Sequence, residues 1–192
     1  NGNSVYTEIG VDLDVSTLEG FYNYYATPYV IYANQAARDL LGNDFAEDGG
    51  EVVFPAGMDT SAARFVSYAE GSTMYASFNG VQMGNTDFFV AGSDSVTLTS
   101  YATTEATKET YMYYKLAVWQ LTDDHTKVAY VPESTTYFRA DGDCRSVTVS
   151  GLTPGKQYKV TLSYDASSVY VTGGLTVSGL GSAELESLEE SK

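Results

Sequence analysis

The chain has 192 residues and a formal net charge of −15, from 10 Lys and Arg against 25 Asp and Glu. That balance excludes a nucleic-acid surface, which needs clustered cations to neutralise phosphates, and argues equally against an anionic membrane surface. A hydrophobic content of 43% with 14% aromatic residues excludes a wholly disordered acidic chain, while one Cys and one His exclude an internal disulfide, a thiolate zinc cage and any multi-histidine metal site.

In chain order, the first element expected is a short buried strand at Tyr29, Val30, Ile31, Tyr32 and Ala33, preceded by Pro28. Asn34 then offers an N-cap, residues 35–41 are rich in helix formers, and Gly42 and Asn43 supply a left-handed stop. No apolar run approaches the roughly 18 residues that a membrane-spanning helix requires. The chain opens at Asn1 with no signal-peptide pattern, so a processed or partial chain is expected.

From Glu51 onward the apolar period becomes two. Strands are expected over 51–54, 63–69, 73–79, 82–83, 87–91, 95–102, 111–121, 126–131, 135–140, 146–150, 157–164, 168–172 and 175–178. Asn79 and Gly80 read as a two-residue hairpin turn, and Gly173 with Gly174 as a break between the last two strands. Within 111–121, Tyr114, Leu116 and Val118 share one face, and Tyr113, Ala117, Trp119 and Leu121 the other. Many short strands at this spacing predict a mainly β fold built as a sandwich or barrel. Four segments follow: a strand–helix segment at 1–50, a β-rich segment at 51–86, a sandwich at 87–181 and an acidic tail at 182–192.

Val147, Val149, Leu152, Pro154, Gly155, Tyr158, Val160, Leu162 and Tyr164 form the clearest constellation. Two alternating strands flank a turn, Leu152 can plug the open end of a sandwich, and Tyr158 can return its hydroxyl to the backbone of that turn. These residues resemble a fibronectin type III-like domain, in the fibronectin/Ig-like β-sandwich class, over about 87–181. Residues 95–99 would be its B strand and 114–119 its C strand. Trp119 departs from the pattern, because the family keeps its core Trp on the B strand. The resemblance implies a spacer or binder, seldom a catalyst, whose specificity lives in the rigid loops at its two ends.

A second stretch runs from Gly10 to Phe45, with Thr27, Pro28, Ile31, Tyr32, Ala33 and Asn34 at its centre. It is similar to the late part of the extracellular domain of lipoteichoic acid synthase-like proteins in the alkaline phosphatase/sulfatase superfamily. In that family the nucleophilic Thr and most metal ligands lie far upstream, so no catalytic residue is carried over.

Chemistry in the remaining residues is sparse. His125 sits between Asp124 and Thr126 in a turn context, unsuited to a catalytic base. The acids around Cys144 would raise its thiol pKa. Asp12 with Asp14, Asp123 with Asp124, and Asp141 with Asp143 are acid pairs that could hold calcium, the loop of Asp141, Gly142 and Asp143 being the first choice and ordinary turn chemistry the simpler reading. No other cofactor is expected. Tyr22, Tyr24 and Tyr25, together with Tyr111 and Tyr113, are dense enough to form a sugar-stacking or partner surface, with core packing as the simpler reading for 111–121.

The expectation is a non-catalytic extracellular module on a bacterial cell surface, serving spacing, adhesion or assembly. Its partners would be protein or carbohydrate at that surface, or copies of itself, with no nucleic acid and no membrane span. A C-terminal fragment of a lipoteichoic acid synthase/sulfatase-type enzyme without its active site, and a subunit of an extracellular filament, are the alternatives.

Overall fold

The computed structural model describes residues 45–61 and 63–182. The expected strand at 29–33, the helix at 34–41 and the tail beyond residue 182 therefore lie outside the described residues. Within them the chain is mainly β. Its strands are β1 (Glu47–Asp48), β2 (Phe65–Glu70), β3 (Thr73–Val81), β4 (Met83–Asn85), β5 (Phe89–Val90) and β6 (Ser95–Thr104). After a 3-10 turn at Glu109–Tyr111 follow β7 (Tyr113–Leu121), β8 (Val128–Tyr130), β9 (Thr136–Arg139), β10 (Arg145–Ser150), β11 (Gln157–Ser163) and β12 (Val171–Ser178).

These strands make two antiparallel sheets packed as a sandwich. Sheet I has the order β1-β10-β6-β12-β3-β2. Sheet II has the order β4-β11-β7-β8, with β5 also on β11 and β9 also on β7. Residues 65–85 thus add strands to both sheets of the unit that 87–181 form. In an Ig-type sandwich the last strand joins the sheet of the C and F strands; here β12 lies in the other sheet, between β6 and β3.

Alternation fixes the core. Tyr114, Leu116 and Val118 on β7 and Tyr158 and Val160 on β11 are wholly buried, facing Phe78 and Leu98 of sheet I. Each such side chain contributes about 1.5–3 kcal/mol on leaving water. The buried Tyr114 hydroxyl donates to Ser100 Oγ at 2.8 Å, and Ser100 donates in turn to the Gly174 carbonyl at 2.8 Å. Burial pushes the Tyr114 phenol far up, so it stays a neutral donor. Leu152 is buried in the same core, and the Thr153 N–H donates to the Tyr158 hydroxyl at 2.7 Å, the expected corner contact.

Three local expectations are corrected. Asn79 and Gly80 are not a hairpin turn; they lie inside β3, where Gly80, at φ +58, donates its N–H to Thr172 Oγ1 at 2.9 Å. The chain then passes to the other sheet at β4, while the hairpin that does form, β2 to β3, turns at Gly71 and Ser72. Gly173 and Gly174 do not end a strand. They sit within β12 beside a register shift, where a Cβ on Gly173 would lie 2.0 Å from the Tyr101 carbonyl oxygen. Close backbone approach, and not chain reversal, is what these glycines permit.

Residues 51–54 form no strand. They belong to a strap that crosses the outer face of sheet I. Gly50 lies against Ser146 and Thr99, Val52 and Phe54 cover Gly174, and Gly57 reaches the Tyr68 hydroxyl. The strap explains why outward-facing Ser77, Thr99 and Thr176 are buried. It is anchored where Gly49 N–H donates to the Cys144 carbonyl at 3.0 Å and Ser146 Oγ donates to the Gly49 carbonyl at 3.2 Å.

Candidate binding face on sheet II

The parity that buries Tyr114, Leu116 and Val118 turns Trp119 to the outside of sheet II. There Trp119 stands in one cross-strand row with Lys159 of β11 and Tyr130 of β8. The Trp119 and Tyr130 rings meet edge to face, with centroids 5.4 Å apart and planes at 63°. Such geometry suits the ring quadrupoles. The adjacent row is Asn85, Thr161 and Ala117, and the next Met83, Ser163, Lys115 and Tyr137.

Both rings are held in place through their polar edges. Trp119 Nε1–H donates to Thr161 Oγ1 at 3.1 Å. The Tyr130 hydroxyl accepts from the Thr135 N–H at 3.2 Å and lies 3.0 Å from Thr135 Oγ1. Trp119 is half-buried and Tyr130 is 41% exposed. Lys159 Nζ sits 5.7 Å from the Phe88 ring centre at one side of this platform. Lys115 forms an ion pair with Asp165 at 2.7 Å on the other. Rings, hydroxyls and ammonium groups on this face supply stacking and hydrogen bonding.

The residues singled out from the sequence are placed elsewhere. Tyr22, Tyr24 and Tyr25 lie outside the described residues. Tyr113 is no surface ring: it is buried at 8% exposure beside Tyr137, because Phe45 packs on both at centroid distances of 5.6 and 5.5 Å. Tyr111 is exposed, with Lys108 Nζ 6.0 Å from its ring centre, and its carbonyl accepts from the Tyr164 hydroxyl at 2.7 Å.

Asp141 is engaged by arginines. Arg145 holds it with two hydrogen bonds, of 2.7 and 2.9 Å, and Arg139 Nε lies 3.2 Å away. Arg145 also pairs with Asp48 at 2.8 Å, and Arg139 with Glu109. Burial pushes the Asp141 carboxyl up, but hydrogen bonds from Arg145 and the Asp143 N–H, with the Arg145 charge, outweigh it and hold the pKa below the usual carboxylate value. Its Oδ1 accepts the Asp143 N–H at 3.1 Å, the turn chemistry named as the simpler reading. Among the described residues no group of three or more His, Cys, Asp or Glu is placed to hold a metal.

Cys144 is half-buried, and burial, more than nearby charge, raises its thiol pKa. Among its Coulombic neighbours Glu51 raises it, where the sequence pointed to the flanking aspartates. His125 occupies the β7–β8 turn at φ +54 and donates its backbone N–H to the Thr122 carbonyl. In the same turn, the Thr122 hydroxyl and the Thr126 N–H, both donating to Asp124, lower its pKa to about 2.

Trp119 and Tyr130 were the residues the sequence did not join as a site. The alternation of 111–121 placed Trp119 on the face opposite Tyr114, Leu116 and Val118, but core packing was the simpler reading for both faces; the partner ring of Trp119 depended on the register of β8.

No protein-family model matches the chain, and no curated protein does. Among solved structures it is similar to the Drosophila melanogaster CENP-C cupin domain, at 12% identity and a TM-score of 0.26, over 68% of this chain and 83% of that one. A likeness at that level carries no argument about fold or ligand.

Proposed function

We propose that the chain is a non-catalytic binding module of a bacterial cell surface, extracellular, that holds a carbohydrate or protein partner against Trp119 and Tyr130. The observation that carries this reading is the pre-organised pair itself, two rings whose polar edges are satisfied internally and which stay partly exposed on the outside of sheet II. Rigid aromatic side chains give large contact area at low conformational-entropy cost. Sugar C–H groups, weakly positive, stack on the negative ring face that such a platform offers. With a net charge of −15 the chain repels polyanions, so a neutral glycan is the favoured ligand.

The test is binding to a panel of immobilised neutral and acidic glycans and to surface-protein extracts. Retention on neutral glycans, lost in Trp119→Ala and Tyr130→Ala and nearly unchanged in 0.5 M salt, is expected. Retention that survives both substitutions places the ligand elsewhere, and strongly salt-sensitive retention on acidic glycans overturns the stacking account.

A further inference from the structure

The two sheets end differently, and the difference singles out β2. Each outer edge of sheet II is broken into two short strands, β4 with β5 and β8 with β9. At one end of sheet I, the two-residue β1 caps β10. At its other end β2 runs unbroken for six residues, and among the described residues no strand pairs with its far edge. Natural proteins blunt such edges with proline, bulges or inward charges, and an unblunted edge is a template for another strand.

The residues of β2 are complementary to themselves. We propose that two copies of the chain associate through their β2 edges, antiparallel and centred on Ser67, in an isologous pair related by a two-fold axis. In that register Arg64 faces the partner's Glu70, and Glu70 faces the partner's Arg64. Val66 meets the partner's Tyr68 on the outer face, and Phe65 meets the partner's Ala69 on the inner face. Residues opposite each other in an antiparallel pair share a face, and aromatic–aliphatic and opposite-charge pairs are the favourable ones. A slip of one residue would set Phe65, on the inner face of sheet I, opposite the partner's Tyr68 or Glu70, on the outer face, and so break the match of faces.

Both charged residues are available. Arg64 and Glu70 are exposed. Arg64 donates from Nη2 to the Gly80 carbonyl and lies 5.9 Å from the Tyr170 ring centre, which leaves most of its five donors for a carboxylate. Each copy carries −15, so mutual repulsion opposes association at low ionic strength, and salt near the 0.1 M where the Debye length is about 10 Å should promote it. The pair is independent of the ligand reading, since Trp119 lies on the other sheet.

Sedimentation velocity across protein concentration tests it, with thermal melts to show that each variant is folded. The wild-type chain is expected to form a reversible dimer. Arg64→Glu and Glu70→Arg should each weaken it roughly tenfold or more, by setting like charges opposite one another at two symmetric places. Mixing the two variants should restore association. One then carries carboxylates at both positions and the other guanidinium groups at both, so every cross-pair is again opposite in sign. A wild-type chain that stays monomeric up to about 1 mM, where even weak complexes form, overturns the proposal. So do single variants that associate like the wild type, or a mixture that does not recover.

Discussion

The two sheets share one core but treat their outer faces in opposite ways. Sheet I is covered on its outside by the strap at 49–58, so that Ser77, Thr99 and Thr176 are buried although they point away from the core. Sheet II turns Trp119 and Tyr130 outward, with Tyr130 41% exposed. A sheet buried on both faces is committed to stability, and substitutions on either side of it should be felt. Where Phe45 does not cover it, around Trp119 and Tyr130, sheet II can lose an outward side chain and keep its fold, which is the condition for placing a ligand there.

The edges complete the contrast. In sheet II the gap between β4 and β5 falls at Thr86, and the gap between β8 and β9 falls at Ser134. Thr86 accepts the Val160 N–H on its hydroxyl at 3.0 Å, and Ser134 accepts the Val118 N–H at 3.0 Å. Val160 and Val118 are direct cross-strand partners, so both edges break on one register line. A side-chain hydroxyl replaces the missing backbone partner on each side, which lets the edge kink without leaving a buried donor unsatisfied.

The largest expected effects lie in the covered sheet and the shared core. Gly173→Ala drives a Cβ to 2.0 Å from a backbone oxygen of β6, which no rotamer change relieves, and should cost about 3 kcal/mol or more. At Gly174 the conflict is with the Phe54 and Tyr101 rings, at 2.6 and 2.9 Å, and the strap can lift. Gly174→Ala should therefore cost less, about 1–2 kcal/mol, and loosen residues 50–58 in hydrogen exchange. Equal costs at the two positions would remove the distinction between backbone contact and strap contact. Leu152→Ala, in the core between the sheets, should cost about 2–5 kcal/mol in the denaturation midpoint.

Next in size are the kinked edges of sheet II. Ser134→Ala leaves the Val118 N–H buried without its acceptor and should cost about 1–3 kcal/mol, and Thr86→Val should do the same at Val160. Because Val118 and Val160 face each other, the double variant is expected to be non-additive. Tyr158→Phe removes the acceptor of the Thr153 N–H and should cost about 1 kcal/mol. Full additivity of the edge pair in chemical denaturation would mean that the two kinks are separate features.

The same contrast marks what the sequence could carry. Strands β6, β7, β10 and β11 were legible within two residues, as was the division of β7 into two faces, though not which of them faces the core, because alternation is a local signal. The Tyr158 corner was legible too, since the turn and the strand that form it are adjacent in the chain. The strap was not. Residues 51–54 have the composition of a strand, and only the presence of Gly174 beneath Phe54 makes them a cover instead. Asn79 and Gly80 carry a hairpin signature, yet the strand after them pairs in the other sheet. Tyr113 became a buried ring through Phe45, a contact across almost seventy positions, and the site at Trp119 depended on Tyr130 arriving beside it.

The smallest effect expected concerns the cluster that ties β1, β9 and β10 together. Asp141, with its pKa held below the ordinary carboxylate value by Arg145 and the Asp143 N–H against the opposing effect of burial, is ionised in the fold more readily than in the unfolded chain. A depressed carboxyl pKa adds stability that is present above the unfolded value near 3.8 and is lost as the pH falls through the lower, folded value. Acid unfolding should therefore steepen below about pH 4, and Asp141→Asn should flatten that limb while lowering stability at neutral pH. Solvent limits the size of the effect, because Asp141 is 26% exposed and exposed ion pairs contribute little. The substitution also leaves Arg145 with Asp48 as its remaining carboxylate partner, 84% exposed. If the acid limb of Asp141→Asn superimposes on that of the wild type, other carboxylates govern acid unfolding, and the cluster joins the strands by geometry alone.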